Sequence, residues 1–337
     1  MEQETRWQVH DKSHNDGKAI LLIRGPIIAG IAAILGVAIF CAWPVIAYGF
    51  PARSDDGWIH ARWSHQFGAQ LWEGNLYPRW LYEFNEGLGS PAFFFYPPLP
   101  YYITSVVNLF VAHDTYGLRG LGISSAIGLA MSGLFAFGWL KKLASTTAAA
   151  AGAICYLFVP YHLMIDLYSR GAFAEYWAMT WLPLLLWTTY NVASGGSCGA
   201  AFMACAYAAL VATHPPTTLI FSIIPPLYAA VAATADQRRA AFMRSVSAMV
   251  LGMGLASAYL IPALTLQSAV SMQELKMSYY EDSFLISGRF HANHNILFWS
   301  LASMLLSGGL AFVFAVRSSN LGHRKQAVFW FGVAVVS

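Results

Sequence analysis

The sequence predicts an all-α polytopic membrane protein, and three observations carry that prediction. Hydrophobic residues make up 57% of the chain and charged ones 10%, and the mean hydropathy is +0.51, a balance foreign to soluble globular chains. Apolar runs of about 18 or more residues recur, each long enough to cross a hydrocarbon layer of roughly 30 Å. Nothing alternates with the period of two that a membrane barrel needs. The runs amount to about eight full crossings plus a truncated ninth.

Residues 1–19 read as a mixed-charge cytoplasmic tail and 20–337 as the membrane domain. The first run, 20–48, lacks a small-residue cleavage site and reads as an uncleaved signal anchor. Later runs fall near 117–140, 143–161, 176–193, 198–213, 215–233, 245–264 and 296–316. A last run starts at Ala327 and stops at Ser337. Eleven helical residues rise only about 16 Å, so the C-terminal part of the domain is expected to be missing. Cys41, Cys155, Cys198 and Cys205 lie in or beside apolar runs with no CxxC spacing, as small buried hydrophobes rather than a disulfide frame or zinc site.

Charge fixes the topology. The short run 99–112 is ambiguous, but if it does not cross, the cytoplasmic side receives Arg6, Lys12, Lys18, Arg24, Lys141, Lys142, Arg238, Arg239, Arg244, Arg317, Arg324 and Lys325. That is 12 of the 19 basic residues, with only 5 of the 16 acids, as the positive-inside rule demands. A crossing at 99–112 would turn the three later basic loops outward. Segments 51–116, 162–175, 213–216 and 265–295 then face outward and hold nearly all the unusual polar residues.

The first outer loop, 51–116, carries the candidate chemistry. Ser54 precedes Asp55 and Asp56 as the cap of a helix whose positive end would favour both acids. Asp56 and His60 stand four apart on one face, followed by Arg62, Trp63, His65 and Trp72, as on an amphipathic helix in the headgroup zone. Either acid could serve as general base for an acceptor hydroxyl or as a metal ligand, or could simply serve the helix end. Arg79, between Tyr77–Pro78 and Trp80, suits a lipid phosphate as well as it suits snorkelling in an aromatic belt. Turns at Gly87–Leu88–Gly89–Ser90–Pro91 and Tyr96–Pro97–Pro98–Leu99–Pro100 frame the patch Phe93–Phe94–Phe95–Tyr96.

In the second outer loop, Arg170 and Glu175 flank a glycine turn where the next helix begins. Arg170 reads as a phosphate contact, Glu175 as a helix-start acid, and Asp166 as a member of a charge pair or a metal site. His214, before two prolines, reads as a turn residue. His291 and His294 form an HxxH pair with no converging further ligands. No P-loop, GxGxxG, GxSxG or HExxH occurs, and no basic face supports nucleic-acid binding.

Asp56-x-x-x-His60-x-Arg62, Gly74–Asn75–Leu76–Tyr77–Pro78–Arg79–Trp80, Gly87-x-Gly89-x-Pro91 and Phe95–Tyr96–Pro97–Pro98–Leu99 together resemble bacterial membrane proteins described as 6-pyruvoyl-tetrahydropterin synthase-related. Tyr168-x-Arg170–Gly171, Thr213–His214–Pro215–Pro216 and Tyr259–Leu260–Ile261–Pro262–Ala263 extend the likeness, which covers about 51–262 and is most specific in the first loop. No soluble pterin-synthase domain is readable. More broadly, the layout is similar to the GT-C superfamily of membrane glycosyltransferases.

That resemblance implies a GT-C-like bundle with interfacial helices in the first outer loop, in a bacterial inner membrane, N-terminus cytoplasmic and active face periplasmic. It implies a lipid-linked sugar donor, on polyprenyl phosphate, and a glycan, lipid or protein acceptor. Asp56, or Asp55, would be the catalytic acid. His60, Arg62, Arg79, Arg170, Glu175 and Tyr96 would bind substrate. Metal dependence varies among the branches, so a divalent cation (Mg or Mn) on Asp55, Asp56 and Asp166 stays open. A transporter or flippase of lipid-linked precursors is the main rival. It would carry ionisable groups deep in its crossings, where this sequence shows almost none. A non-catalytic membrane assembly protein is the other.

Overall fold

The computed structural model of the chain describes residues 2–111, 117–196, 198–270 and a few positions between 309 and 330, with side chains from residue 25 onward. The expected outer loop 265–295, the HxxH pair and the runs at 296–316 and from Ala327 lie wholly or largely outside the described residues. Among those residues the protein is helical, and extended pairing is confined to one antiparallel bridge between Leu81 and Ser90.

Helix α1 (Glu2–Tyr48) contains the apolar stretch Gly25–Tyr48. After it, α2 (Gly57–Trp72), α3 (Ala92–Phe95) and α4 (Leu99–Val107) build the first loop. Helix α5 (Leu118–Leu140) and α6 (Thr146–Leu157) follow, and α6 continues past Pro160 as a π-helix, Tyr161–Ser169. Then come α7 (Phe173–Ala193), α8 (Gly199–Val211), α9 (Pro215–Phe221), α10 (Ile224–Ala232), α11 (Arg238–Leu255) and α12 (Ser257–Thr265).

Among the described residues, four segments are long and apolar enough to cross a membrane: Gly25–Tyr48, Leu118–Leu140, Thr146–Ser169 and Pro215–Ala232. A fifth is α11 with α12 if they count as one span, although they bend by 78°. The expected eight full crossings are not confirmed: the run at 296–316 lies largely outside the described residues, and other runs fall short for local reasons. Helix α8 has 13 residues and rises only about 20 Å. Helix α7 has 21 residues but carries Trp, Thr, Tyr and Asn along an otherwise apolar sequence. Helix α4 has nine residues, about 13 Å, and cannot cross alone.

The bundle packs through close backbone approach and internal hydrogen bonds, as expected where lipid supplies no hydrophobic drive between helices. Helix α5 lies between α1 and α7. A Cβ on Gly122 would sit 2.1 Å from the Val45 carbonyl oxygen, so only glycine permits that α1–α5 contact. Polar side chains satisfy carbonyls on neighbouring helices. Tyr176 donates to Ser125 O (2.6 Å), Thr180 to Gly128 O (3.1 Å) and Tyr168 to Cys41 O (2.6 Å). Of the cysteines only Cys41 is buried; Cys155, Cys198 and Cys205 lie on the bundle surface, where a small apolar thiol suits contact with lipid.

The first loop is a compact cap on one end. Helix α2 turns His60, Ala61, Ser64, Phe67 and Gly68 inward and leaves Trp58 and Trp72 exposed, the two-sided character of an interfacial helix. Phe67, Phe93 and Tyr101 are fully buried beneath it, with ring centroids 4.7–6.0 Å apart. The far side of this cap is held by α12: Arg79 Nη2 donates to Ala258 O at 2.9 Å and Tyr259 OH to Phe95 O at 3.0 Å.

The 23 residues of α5 run from this cap to the opposite end, about 34 Å away. There Lys141 and Lys142 follow α5, and Trp139 Nε1 donates to Tyr228 OH of α10 at 3.0 Å. Arg238 and Arg239 open α11 at the same end. The basic turns and the acid-bearing first loop therefore sit at opposite ends of the bundle.

Candidate active site

Asp55 and Asp56 meet the second loop directly. The Asp56 N–H donates to Arg170 O at 2.8 Å and the Asp55 N–H reaches Ser169 O at 3.4 Å. Glycine makes this junction feasible. Gly171 has φ +63°, and a Cβ there would lie 2.2 Å from Ser54 Oγ and 3.1 Å from Gly57 N.

The expected helix cap is corrected. Ser54 Oγ donates instead to Pro51 O (2.5 Å), and α2 starts two residues beyond the expected position, with Asp56 as its N-cap residue. The Asp56 carboxylate makes no capping hydrogen bond, so it is available at the positive end of α2.

Arg170 sits in a knot of acids. Its Nη1 donates to Glu175 Oε2 (2.7 Å), Asp166 Oδ1 (3.2 Å) and Tyr161 OH (3.3 Å), while Tyr161 donates to Glu175 Oε1 (2.5 Å). Burial works against the guanidinium charge, yet Glu175, then Tyr161 and Asp166, raise its pKa above the ordinary value. Tyr161 was not singled out in the sequence; its five-residue spacing to Asp166 is that of one π-helical turn, a periodicity no α-helical reading would test. The expected outer loop at 162–175 is thus mostly helical.

Asp56 feels the same knot. Burial pushes its carboxyl up, Arg170 pulls it down, and Asp55 and Glu175 push it up again, with a net rise. Burial, and then the charges of Asp56 and Glu175, raise the Tyr96 pKa. Its ring packs on Trp63 with centroids 4.7 Å apart. His214 is the N-cap residue of α9, paired through Nδ1 with Thr217 Oγ1 at 2.8 Å, and burial lowers its pKa.

Other expected substrate ligands have different partners. His60 is 3% exposed, with Nδ1 2.7 Å from Tyr101 OH, so it braces the cap from within. Arg62 lies over the Phe84 ring at 4.7 Å. Arg79 stacks on Tyr77 at 4.3 Å besides holding Ala258. Neither arginine is brought to Asp56. Among the described residues no three His, Cys, Asp or Glu side chains converge as a metal set, and Asp166 Oδ1 is engaged by Arg170. The residues present do not form a divalent-cation site at Asp55, Asp56 and Asp166.

Residues 93–337 match the model of the 6-pyruvoyl-tetrahydropterin synthase related domain, described as a membrane protein. The chain belongs to this family. No curated protein matches it. The family match takes in Tyr96, Asp166, Arg170, Glu175 and His214 but begins after Asp55, Asp56, His60, Arg62 and Arg79, so half of the site lies outside the matched part. In this PTPS-related chain the junction of Asp56 with Arg170 joins the two parts.

Burial of His60 has a measurable consequence. Its pKa is pushed from 6.5 down to about 3 by burial. Between those values the unfolded chain binds a proton that the folded chain refuses, so stability rises with pH across the window and is lost on acidification. At pH 5 this costs about 2 kcal/mol. Thermal unfolding in detergent at pH 7 and pH 5 is expected to show the loss in wild type and a smaller one in His60→Gln.

Proposed function

We propose that this chain is a GT-C-like glycosyltransferase that takes a sugar from a polyprenyl-phosphate donor, and that the capped end faces the periplasm of a bacterial inner membrane. The observation that carries this reading is the seam at which Asp56 and Arg170 share a backbone hydrogen bond. An acceptor hydroxyl attacks the anomeric carbon, Asp56 takes its proton, and the bond to the lipid phosphate oxygen breaks with its electron pair. A carboxylate whose pKa is raised is a better base for that step than an ordinary one.

Arg170 uses Nη1 for its three internal contacts, which leaves its Nη2 edge for the leaving phosphate. Asp55, Asp56 and Glu175 outnumber it, so a monophosphate suits the site better than a more highly charged diphosphate. Exposed Trp58 and Trp72 would seat α2 at the lipid surface where the donor arrives. Radiolabelled polyprenyl-phosphate sugar, supplied to the purified chain with an acceptor extract, tests the reading. Label is expected to pass to acceptor with wild type and not with Asp55→Asn/Asp56→Asn; full transfer by the double variant would overturn it.

One observation favours transport as a second reading. His162 and Asp166 are buried in the candidate span Thr146–Ser169, and Asp166 Oδ2 and both His162 nitrogens lack hydrogen-bond partners. Buried ionisable groups within crossing helices mark pathways in many membrane proteins. Movement of labelled lipid-linked sugar across proteoliposomes without any sugar transfer, abolished by Asp166→Asn, would select this reading over the enzyme.

A further inference from the structure

We propose that a cavity at the basic end of the bundle binds one anionic phospholipid. The cavity, about 550 Å³, is lined by Ala230 and Val231 of α10, Arg238 at the start of α11, and Lys325, Val328 and Phe329. Its wall is apolar except for the two cations, both exposed. It lies beside Ala232, where a candidate span ends, and next to the start of α11. That is headgroup depth for a lipid at this end of the protein.

The charge arrangement asks for an anion. Arg238 and Arg239 occupy the first turn of α11, which carries no acid, although the helix dipole there favours negative charge. The nearest acid in sequence, Asp236, is exposed and engaged with Thr234 and Gln237. A phosphate at the mouth lined by Arg238 and Lys325 would supply the negative charge missing there. The apolar wall, with Phe329 stacked on Tyr228 at 5.8 Å, gives an acyl chain a surface that a free phosphate ion would leave bare. Basic recesses between helices are suited to anionic head groups in this way.

Native mass spectrometry of the full chain in nonionic detergent tests the site, using phosphatidylglycerol and phosphatidylcholine of matched acyl chains. Wild type is expected to retain a single phosphatidylglycerol, bound on the order of tenfold or more tighter than phosphatidylcholine. Arg238→Gln/Lys325→Gln is expected to reduce that preference to near parity. Lys141→Gln/Lys142→Gln, which removes two charges at the same end, is expected to keep it. Val231→Trp, which fills the apolar side and leaves both cations in place, is expected to expel the lipid and serves if the double variant fails to fold. Equal binding of the two lipids by wild type, equal loss in the Lys141/Lys142 variant, or displacement by millimolar inorganic phosphate would each overturn the proposal.

Discussion

Asp56→Asn is expected to lower sugar transfer about 10²- to 10⁴-fold, the range a lost general base commands, while Asp55→Asn costs far less. Asparagine keeps the size of the side chain and the backbone bond from residue 56 to Arg170 O, so the loss reports the carboxylate itself. The neighbours give the assignment a second signature. Arg170 lowers the Asp56 pKa and Glu175 raises it. A base works only when deprotonated, so its pKa marks the acidic limb of the rate profile. Arg170→Gln is expected to move that limb to higher pH, and Glu175→Gln to lower pH. Initial rates from pH 4.5 to 8.5 measure both shifts; movement in the same direction would remove Asp56 from the role of base.

Gly171→Ala is expected to destabilise the protein by about 2–4 kcal/mol and to abolish activity together with it. A left-handed backbone angle costs alanine about 1 kcal/mol, and the new methyl group would also press on Ser54 Oγ from 2.2 Å. Gly195 separates the two contributions. It too has a positive φ, +76°, but nothing lies within 4 Å of its Cβ position. Gly195→Ala is therefore expected to show the backbone cost alone. Adding Ser54→Ala to Gly171→Ala is expected to recover part of the stability, as a double-mutant cycle in denaturant unfolding would show.

What the sequence revealed and what it concealed divide along physical lines. Hydropathy made the helical membrane character plain, and periodicity made α2 plain, because its inward residues recur at helical spacing. The proximity of Asp56 to Arg170 was conjectural, since composition carries no information about which outer segments touch. The number of crossings is not confirmed among the described residues, where apolarity does not always come with length: α8 is apolar but only 13 residues long. The Ser54 cap failed because its hydroxyl donates to the Pro51 carbonyl and α2 begins only after Asp56. His60 looked like a ligand on an i, i+4 face, yet the partner that claims it, Tyr101, lies 41 residues away. Long-range partners of this kind are invisible to local pattern.

The clasp between the cap and α12 bears on how the protein is made. Arg79 and Ala258 are 179 residues apart, and Tyr259 and Phe95 are 164 apart. The ribosome must deliver most of the chain to the insertion machinery before the first loop acquires its outer wall. Until then Arg79 has no Ala258 carbonyl to hold and the Phe95 carbonyl lacks its Tyr259 donor. The clasp therefore forms only after residue 259 has been made, and a chain stalled ahead of residue 258 would lack it.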